Sequence, residues 1–189
     1  MSIRKAIRAA AVVVAMTVGT IAGTAGAAYA DYWALSDGFE LSPASTWRLE
    51  TYGVSSGGFE LGQGTARSGR NNAWLRATTS FSAYGRNVRI TPARYGPDCS
   101  ASAFIQTPGG ASVNFEVIEP STWTYIRLTS VTPASTGSGW TLVSSGVWHP
   151  GREGGENVVI RVALLGDGYS NDWIRIDDLQ VSCSGYYSS

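Results

Sequence analysis

The sequence is short of the residues that most often carry chemistry. Among 189 residues it has one lysine, Lys5, one histidine, His149, two cysteines and two methionines, and only 15% of its residues are charged. Every base after Lys5 is an arginine, and none cluster into a basic stripe, so the electrostatic footprint of a nucleic-acid binder is missing. Two cysteines and one histidine make a poor zinc set. Glu116 and Glu119 are three apart, which on a strand places them on opposite faces. Paired-carboxylate hydrolysis needs both acids facing one cleft, so the sequence points away from a hydrolase or lyase. After the first thirty residues no apolar run reaches the ~20 residues of a membrane span. Uninterrupted helical patterns are missing too, because Gly, Pro, Ser or Thr breaks every candidate within a turn or two.

The chain opens with an export pattern. Arg4, Lys5 and Arg8 precede a small apolar run from Ala9 to Ile21, and Ala28-Tyr29-Ala30 reads as an A-x-A cleavage site. This predicts a cleaved signal peptide over residues 1–30 and a secreted, extracellular product beginning at Asp31. A membrane anchor is the alternative, and Thr17, Gly19 and Thr20 interrupt the run it would need. The remaining 159 residues suit one domain with a buried core, expected over 31–183, with a flexible polar tail at 184–189. Removing Arg4, Lys5 and Arg8 leaves 11 basic and 14 acidic residues, a net charge of −3. Cys99 and Cys183 form an even pair in an exported chain, which predicts a disulfide, two buried free thiols being the alternative.

What is present in quantity is strand signal. Short alternating or apolar segments bounded by turn residues recur at 47–52, 58–61, 73–77, 82–90, 100–107, 113–118, 123–128, 141–148, 157–165 and 173–181. About nine or ten such strands, joined by turns rather than helices, predict an all-β antiparallel two-sheet sandwich. Residues 166–172 read as a loop presenting Tyr169 and two aspartates. Residues 133–139 read as a mobile Ser/Thr/Gly stretch.

Two distant motifs frame the chain. Asp37-Gly38-Phe39-Glu40 stands near the front, and Trp173-Ile174-Arg175-Ile176-Asp177-Asp178-Leu179-Gln180-Val181 near the end. Between them come Trp47, the small-residue turn at 66–73, the Pro92 turn and the strand opened by Trp140. This order of elements resembles the jelly-roll carbohydrate-binding modules of secreted cellulases and xylanases, in the galactose-binding-like β-sandwich group. Arg86 stands where such modules often carry Gln, and the segment from Tyr95 to Cys99 departs from their pattern.

The resemblance implies a non-catalytic, glycan-binding role with a structural calcium, Ca2+. It assigns the metal to Glu40 and the Asp177-Asp178 pair, completed by carbonyls of the Ser68-Gly69-Arg70 turn. The alternation supports an unusual geometry there, since Ile174 and Ile176 share one phase while Leu179 and Val181 share the other, so a β-bulge is expected at the aspartates. Two exposed acids at a strand end are the alternative. Sugar faces pack on aromatic rings, and the candidates for a polysaccharide or glycan site are Tyr84, Trp123, Tyr125, Trp148 and Trp173, with Arg86 nearby. Trp123 and Tyr125, two apart on one strand, would make a platform for a β-linked glycan about 6.6–6.8 Å long. Trp47, Trp74 and Trp140 are the expected core tryptophans. A protein partner on the same fold is the rival reading, because a fold does not fix a function.

Overall fold

The computed structural model describes residues 29–90, 97–134, 137, 139–150 and 157–186. Residues 1–28 of the expected 1–30 signal peptide, the Pro92 turn, Tyr95 and residues 187–189 lie outside the described residues. The elements are β1 (Tyr29–Asp37), α1 (Pro43–Thr46), β2 (Arg48–Tyr52), β3 (Ser55–Leu61), β4 (Asn71–Arg89), β5 (Asp98–Gln106), β6 (Ser112–Glu119), β7 (Thr124–Val131), β8 (Thr141–Trp148) and β9 (Asn157–Tyr186). The described residues are all-β apart from one helical turn, and every strand pairing among them is antiparallel.

The frame is a long ribbon of β4 against β9, from Ala73 opposite Ile176 to Arg89 opposite Asn157. Its register shifts between Ala77 and Thr79, and there the ribbon turns from one layer into the other. Its Thr79–Arg89 half runs in the order β2-β4-β9-β6-β7. Its Ala73–Ala77 half runs in the order β3-β4-β9-β5-β8, and β1 takes over the edge of β9 from Leu179 onward. Each pair of expected strands, 73–77 with 82–90 and 157–165 with 173–181, is therefore one continuous strand. At the corner the Gly166 backbone presses on that of Thr78, and the register passes from Asp167 opposite Thr79 to Asp172 opposite Ala77. Between them Gly168 turns at φ of +87° and Asp167 Oδ1 accepts from the Tyr169 and Ser170 N–H groups, so the expected loop, with Tyr169 exposed, stands inside β9.

Alternation sets the core. Ala73, Leu75, Ala77, Ile174, Ile176, Ala101, Ala103 and Ile105 point inward from one layer, and they meet Val158, Ile160, Val162, Leu164, Val113, Phe115 and Val117 from the other. Cys99 and Cys183, directly opposite on β5 and β9, form the expected disulfide inside this core. Trp47 is core as expected. Trp74 and Trp140 are half-buried instead, Trp74 because it sits on the opposite phase from Ala73 and Leu75. β9 runs to Tyr186 and pairs Tyr29 of β1, so strand pairing crosses both the expected domain start at 31 and the expected end at 183.

Candidate functional site

The outward face of the first layer is built from the residues that the core alternation leaves over. Val159, Arg161 and Ala163 of β9, Ala83, Gly85 and Asn87 of β4, and Asn114 and Glu116 of β6 share it. Its centre is an ion triad. Arg161 donates from Nε to Glu116 and from Nη1 to Glu50 Oε2, the latter at 2.7 Å, with its guanidinium 5.5 Å from the Phe81 ring centroid. Glu116 is buried, and a buried carboxylate is tolerable only with such a partner. Beside the triad opens a recess of about 260 Å³ lined by Arg48, Glu50, Gly85, Arg86, Asn87, Pro120, Trp123 and Val159.

Trp123 is the exposed wall of that recess, with 56% of its surface free. It is not on a strand. It closes the β6–β7 turn with φ of +60°, and its N–H donates to the Glu119 carbonyl at 2.9 Å. The Glu119 carboxylate accepts from the N–H and Oγ of Ser121 and from the N–H and Oγ1 of Thr122, at 2.6–3.1 Å. The Thr122 and Ser121 hydrogen bonds hold its pKa down to about 2. Tyr125, 49% exposed, follows on β7 opposite Ile118, so it shares the outward face. The expected two-residue strand platform is thus a turn residue next to a strand residue, with both rings open to solvent.

Other expected sugar contacts lie elsewhere. Tyr84 is 1% exposed and packs on Phe59, with ring centroids 4.9 Å apart, and burial pushes its phenol pKa up. Trp148 is 2% exposed. Both belong to the core because their strand phase is the inward one, so neither can present a ring to a glycan. The Tyr84 hydroxyl and Trp148 Nε1 are buried without a hydrogen-bond partner among the described residues. Arg86 does line the recess, but its guanidinium is paired with Asp37, which also accepts from Trp47 Nε1 at 3.0 Å. Trp173 is on the outward face of the second layer. The residues missed from sequence were Arg48, Glu50, Asn87 and Pro120. They lie on β2, β4 and the β6–β7 turn, which only the pairing of strands brings together.

The two end motifs do meet. The Arg67 and Ser68 N–H groups donate to Asp177 Oδ2 at 2.7 and 3.1 Å, and the Asp178 N–H donates to Asp177 Oδ1 at 2.7 Å. Arg67 Nη1 lies 2.5 Å from Asp178 Oδ2, and Ser68 Oγ donates to Asp178 Oδ1 at 2.6 Å. Glu40 Oε1 accepts from the Arg70 and Asn71 N–H groups at 2.7 and 2.9 Å. Asp178 has φ of +47° and the β5–β9 register shifts here, the bulge that the alternation predicts.

Three observations bear on a cation. The donors are all oxygen, which suits calcium. The Arg67 guanidinium pairs with Asp178 and not with Asp177, and burial together with the Asp178 charge raises the pKa of the fully buried Asp177 above its ordinary 3.8. Gly69, at φ of +61°, lets the Glu40 carboxylate lie against the turn backbone, since a Cβ there would stand 2.3 Å from Glu40 Oε1. Among the described residues no three acidic, His or Cys side chains gather tightly enough to hold an ion unaided, so backbone carbonyls and water would have to complete its shell.

Among the described residues, the side chains lettered most like a catalytic set are held in other contacts. Gly53-Val54-Ser55-Ser56-Gly57 has the lettering of a nucleophile elbow. It forms the β2–β3 turn and the start of a strand rather than a strand-to-helix turn, and Ser55 Oγ donates to the Tyr52 carbonyl. His149 pairs instead with Asp98, Nδ1 to Oδ1 at 2.7 Å. Glu116 is tied to Arg161 and Glu119 to its own turn.

No protein-family model matches the sequence, and no curated protein does. Solved structures do match in shape. The CBM22-1 xylan-binding domain of Paenibacillus barcinonensis Xyn10C superposes with a TM-score of 0.59 at 15% identity, over 85% of this chain and 100% of that one. TmCBM61, solved with beta-1,4-galactotriose, gives 0.55 at 17% identity, over 76% and 92%. The Stig cyclase Fisc from Fischerella sp. TAU gives 0.55 at 13% identity, over 82% and 90%. At these identities the likeness establishes the fold, the jelly-roll β-sandwich found in carbohydrate-binding modules.

Proposed function

We propose that this protein is a secreted, non-catalytic carbohydrate-binding module that seats a β-linked glycan in the Trp123 recess. The observation that carries this is an exposed indole, held on a hydrogen-bonded turn, beside a pocket lined by Arg48, Glu50 and Asn87. Apolar sugar faces stack on such a ring while hydroxyls take the polar groups, the usual division of labour in a ligand site. Shape likeness to solved xylan-binding and galactotriose-bound modules supports the reading. Fixing the ring in advance lowers the ordering cost of binding, although hydroxyl desolvation keeps affinity modest.

We further propose a structural calcium held by Glu40 and the Asp177-Asp178 pair, with backbone carbonyls of the Ser68-Gly69-Arg70 turn. Its role would be to supply the positive charge that the buried Asp177 lacks. A glycan-array screen of the secreted chain, followed by calorimetry on Trp123→Ala, tests the binding site. Loss of binding with an unchanged melt is expected. No glycan bound, or equal affinity in the variant, would overturn this site and favour a protein partner.

A further inference from the structure

A second recess of about 260 Å³ lies on the outward face of the other layer, lined by Glu60, Trp74, Arg76, Trp173 and Arg175. Strand register sets four of these side chains in a two-by-two block. Trp74 of β4 is directly opposite Arg175 of β9, and Arg76 is directly opposite Trp173, so the two indoles and the two guanidiniums each lie on a diagonal.

The two arginines are not equivalent. Arg175 donates from Nε and Nη2 to Glu60 at 2.7 and 3.0 Å and from Nη1 to Gln106 Oε1 at 2.9 Å. Its guanidinium also lies 5.1 Å from the Trp173 ring centroid. Burial tends to raise the Glu60 pKa, but hydrogen bonds from Arg175, Asn72 and Thr65 win and hold it below its ordinary value. The Glu60–Arg175 pair is therefore a neutral, fixed frame. Arg76 is exposed and has no carboxylate partner among the described residues. Trp74 is fixed as well, because Gly58 on β3 leaves room for its indole: a Cβ there would stand 2.9 Å from Trp74 Nε1.

We propose that this block is a second binding site, for a carboxylated sugar such as a uronate unit of an acidic polysaccharide. One unspent guanidinium takes one carboxylate through paired N–H donors. The two indoles offer faces for the C–H side of the same ring. The recess is smaller than the ~300–1,000 Å³ of drug-sized pockets, which limits it to about one sugar unit. A neutral sugar would leave Arg76 unused. A nucleic acid would need several free bases along a track, and among the described residues the recess lining offers one, Arg76. The site lies on a different layer from Trp123 and does not depend on that recess being a glycan site.

The test uses the full secreted chain, trigalacturonate as probe and β-1,4-galactotriose as its uncharged counterpart, read by NMR of the tryptophan indole N–H signals. Trigalacturonate should shift the Trp74 and Trp173 signals in a salt-dependent way, and galactotriose should not. Arg76→Gln should weaken this binding at least about tenfold, as loss of a charge-assisted pair does. Trp123→Ala should leave it unchanged. Absence of the Trp74 and Trp173 shifts overturns the proposal, as does an Arg76→Gln affinity within about twofold of the parent, less than the loss of such a pair.

Discussion

The N–H of Trp123 donates to the carbonyl of Glu119 at 2.9 Å, so the residue that presents the ring is closed onto the residue that organises the turn. The Glu119 carboxylate gathers four polar hydrogens from Ser121 and Thr122. Glu119→Ala should therefore weaken glycan binding at Trp123 while the melt barely moves, since the site is exposed. The depressed pKa fixes the pH window. The contribution is fully present above the ordinary value of 4.5 and is lost as pH falls through about 2. An NMR titration of Glu119 should find its midpoint near the lower value. A midpoint at the ordinary value would show that the turn is not locked.

Chelation should lower the melting temperature. A ligand that binds only the native state adds about 2.7 kcal/mol at a hundredfold excess over its dissociation constant. Glu40→Ala should remove the sensitivity. Gly69→Ala should act like it, because its Cβ would stand 2.3 Å from Glu40 Oε1 at a positive φ. In chelator, the raised Asp177 pKa means that the native state holds a proton longer than the unfolded chain, so stability falls as pH rises above 3.8 through the folded value. Calcium should flatten that fall. Thermal melts across pH with and without chelator measure both effects, and superimposable curves would sink the calcium proposal.

Tyr84→Phe should be neutral or stabilising, and should leave glycan binding alone. The change removes a buried hydroxyl with no partner among the described residues, a group whose desolvation costs about 1–3 kcal/mol. The ring that packs on Phe59 is kept. A large destabilisation by urea melt would mean that the hydroxyl has a partner after all.

Replacing both Cys99 and Cys183 by alanine should cost about 2–5 kcal/mol, the range for a native bridge in a small secreted domain. The bridge closes 84 residues of sequence between β5 and β9. Those strands are hydrogen-bonded on both sides of it, so the folded structure should persist with a lower denaturant midpoint rather than collapse.

Local sequence determined the strands, their inward phase and the places where phase breaks. Val158, Ile160, Val162 and Leu164 could be read as one face because a strand alternates with a period of two, and the slip at Asp177-Asp178 announced its bulge for the same reason. The exposure of Trp123 was not legible, because it closes a turn and no strand phase applies to it. Tyr84 shares the phase of Val88 and Ile90, so its burial follows from the same period of two. The tertiary structure alone decided the two recesses. Arg48, Asn87 and Trp123 are tens of residues apart in the chain, as are Trp74 and Trp173, and they become neighbours because the β4/β9 ribbon passes through both layers. A period of two says which residues share a face of one strand, and register across strands is what makes a site.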